Sequence, residues 1–579
     1  MWNSLLSPYR RPLGLALAFG LAAAVLVLAG PLFMLQVYDR VLPSRSMPTL
    51  GMLFAGAFVC YVAVSFLDVA VNRILAAIAA DYEQRRGTAL AEVLIRLSAT
   101  PGGSQNSASL RDVQIVSQFL SGSGTKALLD LPWFPFYVFV IFLMHPVLGS
   151  LALAGALALL ALAWISDRAL RRPTSLASAR ARHASHLMDM VQRNAEAVHG
   201  MGMTGSLVAR WRQLADRAVD GQTESAERAA RFSATIKWLR QALQTGMLAV
   251  GAWLVIAQGA TPGILIAATI VLARALGPVE QLVSGWRGLS EALGAHARVA
   301  RTLQAPSPPK AATALPTPTG SVEAEGVFFG LQGADHPIIN GIAFRFHPGE
   351  SIAIVGASAS GKSTLARLIV GIWTPTRGSV SLDGAPVSLW DRATLATHVG
   401  YLPQSVDLLP GTVAQNIARF GDADPDRIAE AARLARCHDL ILSLPAGFDT
   451  EIGDHAEHLS FGQRQRIALA RAVYGNPKLV VLDEPNANLD AEGEQALMAC
   501  MRDLKARGIT VVLIAHKASV LSSSERLMVL HRGRIQALGP TMQVLRQLAT
   551  RSAPRRAAPP RTAPVAKEHP PAQMEASAA

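Results

Sequence analysis

The chain has 579 residues, half of them apolar and only 16% charged, with a mean hydropathy of +0.28. That excludes one ordinary soluble domain and fits a chain of two or three domains that is partly membrane. Three scattered cysteines, Cys60, Cys437 and Cys500, give neither a disulfide framework nor a zinc spacing, and the formal net charge of +13 fits either basic loops beside a membrane or a nucleic-acid surface.

In chain order, residues 13–35 carry no charge. As a helix this run rises about 34 Å, enough to cross a bilayer. A cleaved signal peptide is the alternative, but the run is long for a signal core and Gln36-Val37-Tyr38-Asp39 is a poor cleavage context. Further apolar runs cover 50–71, with Asp68 near its end, 128–144, with Asp130 near its start, 147–165, 242–257, and 264–276, with Arg274. Six spans are expected.

Arginines then orient the bundle. Arg10 and Arg11 precede the first run; Arg73, Arg85, Arg86 and Arg96 lie between the second and third; Arg168, Arg171, Arg172, Arg180, Arg182 and Arg193 lie between the fourth and fifth. The alternate connections are short and nearly free of basic residues. By the positive-inside rule the amino terminus and both long loops are cytoplasmic. This placement uses most of the basic excess without nucleic acid, and a basic face beside the membrane suits anionic headgroups. The long loops, 80–99 and 177–234, are rich in Ala, Arg, Leu and Glu. They read as helical extensions of the spans below the membrane, with a separate soluble helical insert as the alternative.

Residues 305–320 hold five prolines among Ser, Thr and Ala and read as a linker. From 321 to about 550, short β-rich runs alternate with helical stretches, which indicates an α/β domain with a mainly parallel sheet. Residues 551–579, rich in Pro, Ala and Arg, read as a disordered basic tail. The expected organisation is therefore a membrane domain at 1–304, a linker at 305–320, an α/β domain at 321–550 and the tail.

Chemistry concentrates in the α/β part. Gly356-Ala-Ser-Ala-Ser-Gly361-Lys362-Ser363 follows the apolar run Ile352 to Val355 and opens a helical stretch from Thr364. That is a phosphate-binding loop in its required context. Its backbone N–H groups, with Ser358, Ser360 and Thr364, would surround phosphate oxygens; Lys362 would reach the β- and γ-phosphates and Ser363 would ligate Mg²⁺. Leu479-Val-Val-Leu-Asp483-Glu484 ends an apolar strand in two carboxylates at the edge where such sheets bind ligands. Asp483 would hold Mg²⁺ and Glu484 would act as general base for an attacking water.

With these residues in order, the chain resembles the ABC ATPase family. Leu459-Ser460-Phe461-Gly462-Gln463-Arg464-Gln465-Arg466 resembles its signature motif, Gln404 its Gln loop, Asn488-Leu489-Asp490 its D-loop, and His516 its switch histidine. The resemblance implies ATP and Mg²⁺ as ligands and a homodimer with two sites. It implies that Gln404 senses Mg²⁺ and the attacking water, and that His516 holds the γ-phosphate. Ser460, Gly462, Gln463 and Asp490 are then ATP-site residues, with Ser460 and Gly462 reaching the partner's γ-phosphate. Three positions depart from the pattern. Phe461 stands for the first signature glycine, Leu331 for an adenine-stacking aromatic, with Phe329 nearby reading as strand core, and His455 and Ala456 for glycines.

The order of six spans, long intracellular helices and one nucleotide domain resembles the family's exporters. Leu32-Phe-Met-Leu-Gln-Val-Tyr38-Asp39-Arg40-Val-Leu-Pro43 resembles the first-span exit of type I protein secretion ATPases, in the subgroup exporting proteases and lipases, because no peptidase-like domain fits before residue 13. This implies a multi-pass protein of the bacterial inner membrane, with amino terminus and nucleotide domain cytoplasmic. It also implies a periplasmic adaptor (a membrane fusion protein), an outer-membrane channel, membrane lipids and a secreted protein with a carboxy-terminal signal as partners, and no nucleic acid. A lipid or drug exporter is the alternative, and an ATP-gated regulator with weak hydrolysis a second.

Overall fold

The computed structural model describes residues 7–101, 108–257, 259–305, 315–331, 336–453, 459–487, 489–515, 517, 521 and 523–552. His455, Ala456, Asn488, His516, most of the expected linker and the tail beyond 552 lie outside the described residues. The chain divides into two compact units, Met1–Pro306 and Ser307–Ala579.

The first unit is helical. Among the described residues five helices are long and apolar enough to cross a membrane: Ser7–Ser44, Met47–Ser98, Ser123–Met144, Pro146–Arg193 and Pro262–Leu282. They contain the runs expected at 13–35, 50–71, 128–144, 147–165 and 264–276. The run at 242–257 ends a 53-residue helix, Thr204–Ile256, whose polar Lys237, Arg240, Gln241 and Gln244 leave too short an apolar part to qualify alone. That part is nonetheless packed, with Met247 and Leu254 buried in the same cluster as Ala268 and Leu272 of the next helix.

The apolar faces point outward. Met52 is 80% exposed and Phe66 73% exposed on Met47–Ser98. A helix that is apolar and exposed for this length has lipid as its natural solvent. The expected extensions are also present. Met47–Ser98 has 52 residues and Pro146–Arg193 has 48, about 70–80 Å each, more than twice the bilayer core. Pro146 sits in the first turn, where it costs no hydrogen bond, and His145 Nδ1 accepts from the Val147 N–H at 3.2 Å to cap it. Asn194 ends that helix, and the chain returns through Ala195–Gly200 into Thr204–Ile256. Gly155 lets the two long helices meet: a Cβ there would lie 2.4 Å from Leu243 Cδ2.

The second unit is α/β. Among the described residues its main sheet has six strands in the order Arg534–Pro540, Arg526–His531, Ser351–Gly356, Thr510–Ile514, Leu479–Asp483 and Val399–Leu402, parallel except at the Arg534–Pro540 edge. The central strands are nearly continuous apolar runs, as a sheet covered on both faces requires; Leu479–Asp483 is buried at every position. One face carries a cluster around Leu365, Ile369 and Val512, the other a cluster around Ile467, Leu469 and Val511. A smaller antiparallel sheet takes Ile339–Phe346, Val322–Phe329, Arg377–Leu382 and Ala385–Pro386 in that order.

Candidate functional site

Three parallel strands deliver the site to one edge of the main sheet. Ser351–Gly356 runs into the phosphate loop, and Leu479–Asp483 ends on a carboxylate whose Cα pairs with Ile514 of the strand between them. The loop then turns sharply. Gly361 has φ 99°, a left-handed conformation that side chains resist, and the helix Lys362–Ile369 starts at the next residue. The positive end of that helix faces the loop.

Lys362 is buried, and its Nζ donates to the carbonyls of Gly356 and Ala357 at 3.0 Å each, which holds the ammonium over the loop. Ser360 is buried with an Oγ that has no hydrogen-bond partner among the described residues; Ser358 is exposed on the loop; Thr364 is buried in the helix's first turn. Ser363 Oγ donates to Asp483 Oδ1 at 3.1 Å.

Asp483 has no solvent exposure, and its second oxygen, Oδ2, has no hydrogen-bond partner among the described residues. Burial pushes its carboxyl above the ordinary carboxylate range. The Ser363 hydroxyl opposes the shift, the Glu484 charge adds to it, and Arg367 and Lys362 oppose it. A buried carboxylate with an orphaned oxygen, beside a hydroxyl, fits a hard oxygen-seeking cation that also takes water and phosphate ligands. Among the described residues no group of three or more His, Cys, Asp or Glu could hold a metal unaided. The donor set therefore suits Mg²⁺ arriving with a nucleotide.

Glu484 adopts φ 53°, rare for a non-glycine residue and of a kind that collects at functional sites. Its N–H donates to Ile514 O at 3.0 Å, which fixes the turn, and its Oε2 accepts from Gln404 Nε2 at 3.1 Å. Lys362, Ser363, Asp483, Glu484 and Gln404 are thus gathered at one sheet edge.

The remaining expected residues start two other helices. Ser460 and Gln463 form a capping box on Phe461–Val473: the Ser460 N–H donates to Gln463 Oε1 at 2.8 Å, and the Gln463 N–H to Ser460 Oγ at 3.3 Å. Gly462 lies in that first turn. Asp490 caps Ala491–Ala506 by accepting from the Gly493 N–H at 2.7 Å. Phe461 occupies the first helical position, with the Arg464 guanidinium 5.5 Å from its ring.

Two contacts were not visible in the sequence, although Gln465 lies in the signature-like stretch and Phe329 reads as strand core. Gln465 is buried and donates through Nε2 to the carbonyl of Pro485, so the helix begun by Ser460 is tied to the residue after Glu484. Its spacing with Ala468, Leu469 and Ala472 on a buried helical face was the available signal, since a polar group there needs a partner. Phe329, 7% exposed, stacks on Trp373 at 5.1 Å, with Arg367 over the indole at 4.7 Å. Phe329 is committed to that stack, and Leu331, at the position where the resemblance implies an adenine-stacking aromatic, is exposed.

Residues 339–487 match the family described as ABC transporter, and residues 13–279 match the ABC transporter transmembrane region. The type I secretion system ATP-binding protein PrsD of Rhizobium meliloti is 44% identical over 91% of this chain and 92% of its own length. The cyclolysin secretion/processing ATP-binding protein CyaB of Bordetella pertussis is 29% identical over 92% of this chain and 75% of its own. A solved structure of a bacterial Atm1-family ABC exporter with ATP bound shares the fold, with a TM-score of 0.79 at 23% identity, covering 96% of this chain and 100% of that one. The chain belongs to the ABC transporter family: it is an exporter-type polypeptide that joins a membrane-spanning helical region to an ATP-hydrolysing nucleotide-binding domain.

Proposed function

We propose that this protein is the inner-membrane ATPase and permease of a type I protein secretion pathway, moving an unfolded protein with a carboxy-terminal signal out of the cytoplasm. The observation that carries this reading is the 44% identity to PrsD, which runs through both halves of the chain rather than the nucleotide-binding half alone. Residues 1–304 are the membrane domain and 321–550 the nucleotide-binding domain. The amino terminus and the nucleotide domain face the cytoplasm, where the arginine-rich long helices lie.

The site chemistry follows from the residues. The amides of the phosphate loop, with Ser358, Ser360 and Thr364, bind the nucleotide phosphates, and Lys362 neutralises the β- and γ-oxygens. Ser363, Asp483 and Gln404 hold Mg²⁺, which when bound with the nucleotide spreads the charge of the transferring phosphoryl group. Glu484 takes a proton from the attacking water, and Gln404, bonded to Glu484 at 3.1 Å, orients both. His516 holds the γ-phosphate. A second copy of the chain supplies Ser460, Gly462, Gln463 and Asp490 across a head-to-tail dimer. ATP favours the closed pair and hydrolysis releases it, so the membrane helices shift between inward- and outward-open states. A periplasmic adaptor and an outer-membrane channel complete the route.

The test compares proteins in the culture medium of cells carrying the wild-type gene, no gene, or Glu484→Gln. A cargo present only with the wild type, and an adaptor that co-purifies from gently solubilised membranes, support the reading. An unchanged medium with altered membrane lipids rejects it in favour of a lipid exporter.

A further inference from the structure

Arg419 lies between the two parts of the nucleotide domain that carry Gln404 and Ser460. Its guanidinium is committed to backbone carbonyls: Nε donates to Arg471 O at 2.9 Å, Nη2 to Ala472 O at 3.0 Å and Tyr474 O at 3.4 Å, and Nη1 to Ala396 O. Three of these acceptors end the helix Phe461–Val473, where carbonyls lack partners within the helix and the helix dipole is negative. A cation held there caps the helix from its far end. Arg419 and Phe420 follow the short helix Val413–Ile417 as consecutive left-handed residues, each with φ 57°, and the Phe420 N–H closes that helix by donating to Gln415 O at 2.9 Å.

The same end of the helix is held a second time. Arg471 donates through both Nη atoms to Asp407 O at 3.2 Å, three residues after Gln404. The intervening chain is closed by buried Asn416, which accepts from the Leu409 N–H at 2.9 Å and donates to Leu409 O at 2.8 Å and Thr412 O at 3.1 Å. Residues 407–419 are therefore one braced piece, beginning three residues after Gln404 and gripping the last turn of the Ser460 helix at its end. That helix has 13 residues and behaves as a stiff rod of about 20 Å. A small rotation at its carboxyl end displaces Ser460 at the other.

We propose that Arg419 is a positioning residue for ATP hydrolysis: it locks the signature helix to the Gln404 segment, so that Ser460 is presented to the partner's nucleotide in step with Gln404. This rests on the reading that Ser460 acts across a dimer. The Arg419 guanidinium bonds to carbonyls outside the phosphate loop, so its effect falls on turnover rather than on binding there.

The experiment uses the full chain in lipid vesicles and compares Arg419→Gln, Arg419→Lys and Ser460→Ala with wild type. The readouts are affinity for a fluorescent ATP analogue, kcat and KM for ATP, and thermal midpoint. For Arg419→Gln the expected result is unchanged analogue affinity and a kcat lower by about ten- to a hundredfold, the scale of a small misplacement. Arg419→Lys, which still donates to one or two carbonyls, is expected to fall between Arg419→Gln and wild type. Wild-type kcat in Arg419→Gln overturns the proposal. Parallel loss of affinity, thermal midpoint and kcat in both Arg419 variants, without recovery in the lysine variant, overturns it too and leaves a structural brace. If Ser460→Ala keeps full turnover, the dimer reading itself fails; if it loses turnover and Arg419→Gln does not, only the present proposal fails.

Discussion

Gln404 and Glu484 are 80 residues apart in the chain and are joined by a single hydrogen bond, Nε2 to Oε2, of 3.1 Å. Glu484 is held in a left-handed turn by its own N–H bond to Ile514 O, so its backbone cannot follow a moving partner. The glutamine is exposed and starts a segment braced further along by Asn416. Movement of that segment would change how the carboxylate is oriented.

Gln404→Ala removes this orienting amide and one proposed Mg²⁺ ligand, but leaves the phosphate loop, which carries most of the nucleotide contacts, intact. ATP affinity should persist while kcat falls by about tenfold or more, the lower range for a group that orients a proton acceptor. Steady-state ATPase assays alongside equilibrium nucleotide binding check this. A loss of affinity with kcat intact would contradict the assigned role.

Asp483→Asn keeps the shape of the buried side chain and an oxygen to accept from Ser363, but removes the charge. The domain should stay folded. Turnover should fall by about a hundredfold or more and need much higher Mg²⁺, because the proposed Mg²⁺ site would lose its buried carboxylate. A Mg²⁺ titration of ATPase rate, with circular dichroism as a folding control, reads both effects.

Gly361→Ala places a Cβ in a left-handed residue, 2.9 Å from Ile339 Cδ1 and 3.2 Å from Ile338 O. The strain should cost about 1–3 kcal/mol. It acts on the loop that cradles phosphate, so thermal midpoint and nucleotide affinity should fall together. Unfolding with and without ATP would show this as a smaller stabilisation by nucleotide than in the wild type.

In the membrane unit, Gly155→Ala drives a methyl into Leu243, whose three outer carbons stand 2.4, 2.6 and 3.0 Å from the added Cβ. Overpacking of this kind costs about 1–3 kcal/mol. Leu243→Ala in the same chain should restore the thermal midpoint measured in detergent. Failure of the double variant to recover would mean that the two long helices do not meet there.

What the sequence made legible was local. The phosphate loop, Asp483 and Glu484 each follow an apolar strand directly, so a short motif and its flanks located them. The first-span motif holding Asp39 was visible only as a resemblance. Its physical role appears on folding: Asp39 accepts from Thr261 Oγ1 at 2.6 Å and from the Gly263 N–H at 2.9 Å, capping the helix Pro262–Ser284 more than two hundred residues away. Gln465, Arg419 and the Phe329–Trp373 stack were likewise hidden, because each is defined by a partner distant in the chain. The span at 242–257 was readable as an apolar run, but the folded chain makes it the end of a much longer polar helix.

The most direct measurement is of ATP binding and steady-state hydrolysis by Glu484→Gln in the purified chain, reconstituted in lipid. The expected result is full ATP affinity with turnover reduced by about a hundred- to ten-thousandfold, the worth of a positioned general base. Turnover at the wild-type rate would contradict it, and would leave the carboxylate beside Gln404 without a catalytic part.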